Sequence, residues 1–490
     1  MNYDDFVRGK SNDAPPTGIP GAECANPHLF QFQRDTVRWA LRRGRAAVFY
    51  DTGLGKTRIQ LAWAQHVAQH TGGRVLILAP LAVAAQTVRE GDAIGVKVTY
   101  ARSMAEATGS ITIANYEMLP HFDASAFSAV VLDESSILKD YSSSTRNAII
   151  GMFKHTPFRL ACTATPSPND FTELGNHAEF LGVMSRTEML AMYFAHDGGS
   201  TQDWHIKGHG RTAFWRWVCS WAAMVKRPSD LGYDDGGYDL PALDMHEHIV
   251  RATVEQAHAT GMLFAEAAST LQEQRVARRA TMADRVAIAA RLVARDPDEP
   301  WIVWCELNDE SDALTRAIPG AVEVRGSDSR EAKENAARWF IGETACPCGR
   351  EDRVDGPMCG CGRAVTSRRV LVSKSSIFGW GLNWQHCARV CFVGVSHSFE
   401  QWYQAIRRCW RFGQRRVVTC HVVSSELEGA VLDNLRRKEA DASRLAEEMR
   451  RYTSAMVSEA VRGAERERDA YEPNVKMTTP RWVKSDRSAA

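Results

Sequence analysis

The 490-residue chain has almost no net charge, with 60 Lys and Arg against 59 Asp and Glu. No global field therefore draws it to polyanions, and any nucleic-acid contact must be a local patch. It has no uncharged apolar run near the ~20 residues that cross a bilayer, so no membrane partner is expected. The opening MNYDDFVRGKSNDAPP has no basic stretch followed by an apolar one, and no secretory leader is read there. No internal repeat stands out. Of 12 cysteines, eight are scattered singly, mostly in apolar runs such as LACTA and RVCFVGV, as small reduced core residues are. The expected compartment is reducing and cytoplasmic.

The length exceeds what one core organises, so two or three domains are expected. Residues 1–27 are polar and Pro-bearing and read as an irregular leader. Over 28–182, the runs AAVFY, VLILAP, ITIAN, AVVLDE and FRLACTAT alternate with helical segments. Short apolar β-rich runs separated by helices predict a parallel sheet covered on both faces. Residues 183–300 are rich in Ala, Arg, Glu, Met and Trp at helical spacing and read as a helical linker region. Strand-like runs return at 301–425 (PWIVWCEL, AVEVRG, RRVLVSKS, RVCFVGV, VVTCHVV), predicting a second α/β lobe. Residues 426–490 read as a charged helical extension with a polar tail. The expected fold class is α/β, two parallel-sheet lobes joined by a helical region.

Four motifs carry chemistry. In FYDTGLGKTRIQLA, an apolar strand ends in Asp51-Thr52-Gly53-Leu54-Gly55-Lys56-Thr57 and a helix follows. A Gly-rich turn between strand and helix aims backbone amides at one point; a lysine adds charge, and a threonine hydroxyl suits Mg²⁺. The turn reads as a nucleoside-triphosphate cradle, although Tyr50 stands where a small residue is usual. In AVVLDESS an apolar strand ends in Asp133-Glu134. Beside a phosphate cradle, Asp133 suits Mg²⁺ coordination and Glu134 the general base toward water. LACTATPSPND ends a strand in two threonines able to bond a carboxylate. In QWYQAIRRCWRFGQRR, Arg408 and Arg411 are three apart and share a helix face. They suit either charge neutralisation on a transferred phosphate or a basic face toward solvent or DNA backbone, the part read for Arg407, Arg415 and Arg416.

The order of these motifs resembles superfamily-two helicase-type ATPases, and among them the Swi/Snf-like branch of double-stranded DNA translocases, across roughly 28–425. Phe30-Gln31-Phe32-Gln33 resembles the adenine-reading element, with Gln33 as its glutamine. DTGLGKT resembles motif I, with Thr52, Gly53, Gly55, Lys56 and Thr57 on ATP and Mg²⁺. LILAPLAVAAQT resembles motif Ia, ITIANYEML the next DNA-side element, and CTATPSPNDFTELGNHAEFL motif III with its helix. VKRPSDLG before Leu240-Pro241 resembles the link to the second lobe. VSKSSIFGWGLNWQHC resembles motif V, with Gly381-Leu382-Asn383 its clearest part. Gln404, Arg408, Arg411, Gly413 and Gln414 resemble motif VI.

The resemblance implies two RecA-like lobes, with ATP between Lys56 and Thr57 on one side and Gln404, Arg408 and Arg411 on the other. It implies a motor on nucleic acid, with duplex DNA as partner. The alternatives are a strand-separating or branch-remodelling DNA or RNA helicase, or a nucleotide-gated DNA-binding module with little turnover. Ser135-Ser136 depart from the family's Ala-His, and Gln86 stands where many relatives carry Trp. Short insertions suggest a compact microbial or phage-type relative; if it is phage-encoded, the compartment is a host cytoplasm.

Cys346, Cys348, Cys359 and Cys361 form two C-x-C pairs ten residues apart, at 344–364. Four thiolates on Gly turns suit one structural Zn²⁺, against a disulfide pair or free thiols. Trp215, Trp217 and Trp221 read as packing at helical spacing, and Trp384 as the tryptophan best placed to touch nucleic acid. The LRRKEADASRLAEEMRR helix reads as packing locally, docking on the second lobe or recruiting a partner.

Overall fold

The computed structural model describes residues 13–80, 83–196, 204–253, 271–348, 369–378, 383–395 and 398–462. Seven strands form a first, wholly parallel sheet: β1 (Arg45–Tyr50), β2 (Val75–Ala79), β3 (Thr99–Tyr100), β4 (Ile111–Asn115), β5 (Ala129–Asp133), β6 (Phe158–Cys162) and β9 (Ala222–Val225). Their order is β3-β4-β2-β5-β6-β1-β9. Strands β7 (Phe194–His196) and β8 (Trp204–Ile206) make a separate antiparallel pair. The second sheet holds β10 (Leu243–Val250), β11 (Trp301–Cys305), β12 (Ala321–Val324), β13 (Val370–Lys374), β14 (Arg389–Val393) and β15 (Val418–Ser425), ordered β10-β15-β14-β11-β13-β12 and also parallel. Two such sheets with helices between their strands are two RecA-like lobes.

Most strands are buried along their length, as VLILA and AVVLD demand, because helices cover both faces. One face of the first sheet carries Val48, Ile77, Val131 and Leu160, and the other Leu76, Leu78, Val130 and Ala161, in two separate cores. Residues alternate along each strand, so each run feeds both cores.

The segment 183–300, expected to be a helical linker, differs from that expectation. It supplies β9 to the edge of the first sheet and β10 to the edge of the second. Strand β9 is a buried apolar run of only four residues, AAMV, in which Ala and Met favour helices, and β10 exposes most of its side chains, so neither marks itself as a strand. Trp384 is also placed differently. It is 1% exposed, near Trp304, Phe340 and Phe378 in the second lobe's core, where it packs. Trp215, Trp217 and Trp221 are buried, as their spacing implied.

Three helices position the site: α1 (Gln31–Arg43), α2 (Lys56–Thr71) and α3 (Leu174–Leu181). In the second lobe α4 (Phe399–Ile406) follows β14, and the chain then runs through β15 into α5 (Gly429–Arg462). Helix α5 has 34 residues, about 50 Å at 1.5 Å per residue. Val431 and Leu435 near its start belong to the second lobe's core; Met449, Val457 and Val461 belong to the first lobe's cores. Glu448 pairs with Arg211 at 2.7 Å, and Ser458 donates to the Leu231 carbonyl at 3.1 Å. The helix therefore spans both lobes. Its apolar spacing in the sequence shows that one face is covered and cannot show by which body.

Trp215 lies against Phe171 at 5.0 Å and near Tyr452 of α5 at 6.4 Å, with its side chain fully buried. Trp215→Ala is expected to destabilise the first lobe by about 3–5 kcal/mol, the usual cost of emptying an aromatic site. Chemical denaturation of the variant against the parent checks this, and a change below ~1 kcal/mol contradicts the packing described.

Candidate active site at the seam between the lobes

Strands β5, β6 and β1 are neighbours, so their carboxyl ends open at one place, where parallel sheets bind ligands. The turn Asp51–Gly55 leaves β1 there and enters α2. Gly53 and Gly55 have φ of 97° and 79°, a region open to glycine and strained for other residues. Gly55 also has no room for a side chain: an added Cβ would lie 2.2 Å from Gln33 Nε2.

Gln33, 2% exposed, braces this turn from α1. Its Nε2 donates to the Leu54 carbonyl at 3.0 Å, and its Oε1 accepts from the Phe30 amide at 3.0 Å. Beside it Phe30, Tyr238 and Phe412 form an aromatic group spanning the lobes, with Tyr238 and Phe412 stacked at 4.3 Å. Thr57 lies in the first turn of α2.

Lys56 is buried, and its Nζ donates to the Tyr50 carbonyl at 2.9 Å. Burial pushes its pKa down, against the pull of Glu134, Asp51 and Asp133. Asp133, at the end of β5, accepts from Gln60 Nε2 at 2.6 Å. Burial raises both the Asp133 and Glu134 carboxyls, and the Lys56 charge opposes this at each. Glu134 has φ 54°, the one positive value for a non-glycine residue among those described. Such a conformation costs of order 1–3 kcal/mol and persists where its surroundings hold it, which is common at functional sites. Thr163, at the end of β6, reaches Glu134 Oε2 at 3.5 Å.

From the second lobe, Arg408 is 1% exposed and bonds Gln404 twice, Nε to the carbonyl at 2.9 Å and Nη2 to Oε1 at 2.8 Å. Gln404 thus holds Arg408. Burial lowers Arg408 to about 10, while Glu134 and Asp133 support its charge. Burial, then the Arg408 and Arg407 charges, lower Arg411 to about 9. Both stay cationic at neutral pH, and a polyanion entering here would relieve the repulsion between them. Gln414 donates to the carbonyls of Gln385, Cys387 and Cys409, tying this segment to the one before β14.

The two halves meet. A Cβ on Gly53 would stand 3.0 Å from Phe412 Cβ and 3.1 Å from its backbone nitrogen. The structure thus brings together Thr52, Gly53, Gly55, Lys56, Asp133, Glu134, Gln404, Arg408 and Arg411. Gly381 lies outside the described residues, as do Cys359 and Cys361. Among the described residues no cluster of three or more metal-ligating side chains forms.

Arg407, expected to face solvent or DNA, is instead 5% exposed and turned to the first lobe, where Asp51, Tyr403 and Glu400 join it. Asp51 bonds Tyr403 Oη at 2.9 Å and pairs with Arg407; Glu400 pairs with Lys139 and accepts from Thr165 Oγ1 at 3.2 Å. The spacing of Glu400, Tyr403 and Arg407 on one helical face was the available signal. Ser135 bonds His177 Nε2 of α3 at 3.1 Å.

The DEAD/DEAH box helicase family profile matches residues 30–174. No curated protein sequence matches the chain. Among solved structures, one similar chain is a fragment from Vibrio vulnificus described as an HsdR subunit of a type I restriction enzyme. It is 15% identical with a TM-score of 0.46, and the alignment covers 82% of this chain and 64% of that one. Another is the SWI2/SNF2 ATPase core of Sulfolobus solfataricus in complex with dsDNA, 17% identical with a TM-score of 0.39, covering 90% of this chain and 96% of that one. Residues 30–174 are a helicase-type, ATP-binding domain of the DEAD/DEAH kind.

Burial lowers His177 to about 4, so the folded chain holds it neutral. Between that value and the ordinary 6.5 the unfolded chain binds the extra proton, and this group's contribution to stability falls as pH drops through that window. His177→Gln is expected to flatten part of that fall, measured by urea unfolding at pH 7 and pH 5. An unchanged slope contradicts a buried neutral imidazole.

Proposed function

We propose that the chain is a nucleic-acid-dependent ATPase motor of superfamily two, with duplex DNA as its track. One observation supports the ATPase reading: the Gly53–Thr57 turn and the Arg408–Arg411 segment meet at one seam, with Phe412 against Gly53 and the Asp133 and Glu134 charges near both Lys56 and Arg408. Duplex DNA rests on the ordered Swi/Snf-like motifs, and a cytoplasmic location on the scattered single cysteines, which suit a reducing compartment.

ATP enters the gap with its phosphates toward the turn amides and its base toward Gln33 and the aromatic group. Lys56 exchanges the Tyr50 carbonyl for phosphate oxygens. Thr57 and Asp133 suit Mg²⁺, since Asp133 is a buried carboxylate raised by burial, which a hard cation would relieve. When bound, that ion neutralises charge building on the phosphates. Glu134, held by its unusual backbone, takes the proton of the attacking water. Arg408, fixed by Gln404, and Arg411 offset charge on the transferred group. Release of phosphate loosens the gap, and repeated closure moves one lobe past the other along the backbone.

ATPase assays with duplex DNA, single strands and RNA test the reading, and stimulation by duplex DNA is expected. Stimulation by RNA alone overturns the duplex assignment, and strand separation coupled to turnover favours the helicase alternative. Lys56→Ala is expected to abolish turnover; normal turnover removes the cradle. Arg411→Ala is expected to lower kcat by about 10³-fold with ATP binding retained. Because burial raises Glu134, kcat/KM is expected to fall with decreasing pH at a value above its ordinary 4.5, where the base becomes protonated. Cys346, Cys348, Cys359 and Cys361 are proposed to hold about one Zn²⁺ per chain. Elemental analysis checks this, and metal-free protein of full stability overturns it.

A further inference from the structure

Helix α4 turns a polar face toward the first lobe. Glu400, Tyr403 and the capping Arg407 follow one another at three and four residues, so they stack on one side. Each reaches across the seam. Tyr403 Oη donates to Asp51 Oδ1 at 2.9 Å and accepts from Arg407 Nε at 3.1 Å. Arg407 Nη2 closes the triangle on Asp51 Oδ2. Glu400, 3% exposed, takes Lys139 and, at 3.2 Å, the hydroxyl of Thr165.

The partners on the first lobe are the ends of the site's own strands. Asp51 opens the phosphate turn, and its Oδ1 accepts from the Thr52 amide at 2.6 Å. Thr165 donates its amide to Thr163 Oγ1 at 3.1 Å, and Thr163 reaches Glu134. On the second lobe, Arg407 is bonded to Arg408 through one peptide link. The three residues of α4 therefore touch the phosphate turn and the carboxylate end of the site, while the arginine pair continues from the same helix. Burial alone would raise Asp51; the Arg407 charge and the bonds from Arg407, Thr52 and Tyr403 outweigh it and hold it below the usual carboxylate range. Removing one member of such a buried pair leaves the other charge stranded.

We propose that Asp51, Tyr403, Arg407 and Glu400 form a clasp that sets the register of Arg408 and Arg411 against the phosphate turn. They are positioning residues for hydrolysis, and the proposal rests on the ATPase reading above. Charge stabilisation of this kind depends on placement within fractions of an ångström, and a ~1 Å misplacement costs about 100-fold in rate.

The experiment measures ATPase kinetics of the full chain, beginning with the parent. A parent without turnover overturns the ATPase reading and the clasp with it. With an active parent, Arg407→Gln and Tyr403→Phe are each expected to lower kcat, by about 100-fold for the former, with KM for ATP within about threefold. Tyr403→Phe keeps the ring and removes only the shared hydroxyl, so it carries the test if Arg407→Gln does not fold. Asp51→Asn with Arg407→Gln is expected to lose little more than Arg407→Gln alone, because the two act as a unit. Arg407→Lys is expected to restore part of kcat. Additive losses, unchanged kcat in a folded variant, or a KM rise at constant kcat would each overturn the proposal. A rise in turnover would do so as well, since the contact would then be restraining the enzyme.

Discussion

A charge taken out of water is stable only beside its opposite, and this chain takes many of them into one seam. Lys56, Asp133 and Arg408 are buried there, with Asp51, Glu134, Arg407 and Arg411 around them. Asp51 gains its countercharge from the other lobe, and Arg408 is supported by Glu134 and Asp133 from across the gap. The two sheets are thereby set facing each other with the ends of β1, β5 and β6 toward α4. Within this group cations outnumber anions, so the seam keeps a positive excess that an entering anion would offset.

The sheets owe their geometry to simpler causes. Buried runs such as VLILA need cover on both faces, so helices separate them and the strands run parallel. Parallel strands open their carboxyl ends on one edge, and the order β5-β6-β1 makes three of those ends neighbours. Asp133, Thr163 and Asp51 meet there although they lie far apart in sequence. On the other side, Gln404 and Arg408 are four apart on one helical run, which lets the first hold the second.

Much of this was legible in the residues. DTGLGKT, DESS and QAIRRCWR mark their own chemistry because each needs particular side chains at particular spacings. Five buried runs in each lobe announced the sheets. What the residues concealed was partnership over distance. Strand β10 exposes most of its side chains and is held by backbone pairing with β15, which leaves no apolar trace. Strand β9 is a run of four residues, three of them Ala or Met, in a helix-favouring stretch. Trp384 lies beside a motif, and only three-dimensional packing shows that it belongs to the core. Asp51 and Arg407 each look like ordinary neighbours of better-known residues, and their meaning appears only when the lobes face each other.

Helix α5 has a mechanical consequence. A continuous rod about 50 Å long, anchored near its start in one body and near its end in the other, can neither stretch nor fold. Straight separation of the bodies would drag Val457 and Val461 or Val431 and Leu435 out of their sockets into water. Rotation of one body about the rod's axis would turn one of those ends within its socket as well. The rod therefore resists separation and swivel alike, and ties any relative movement of the lobes to its own gentle bending.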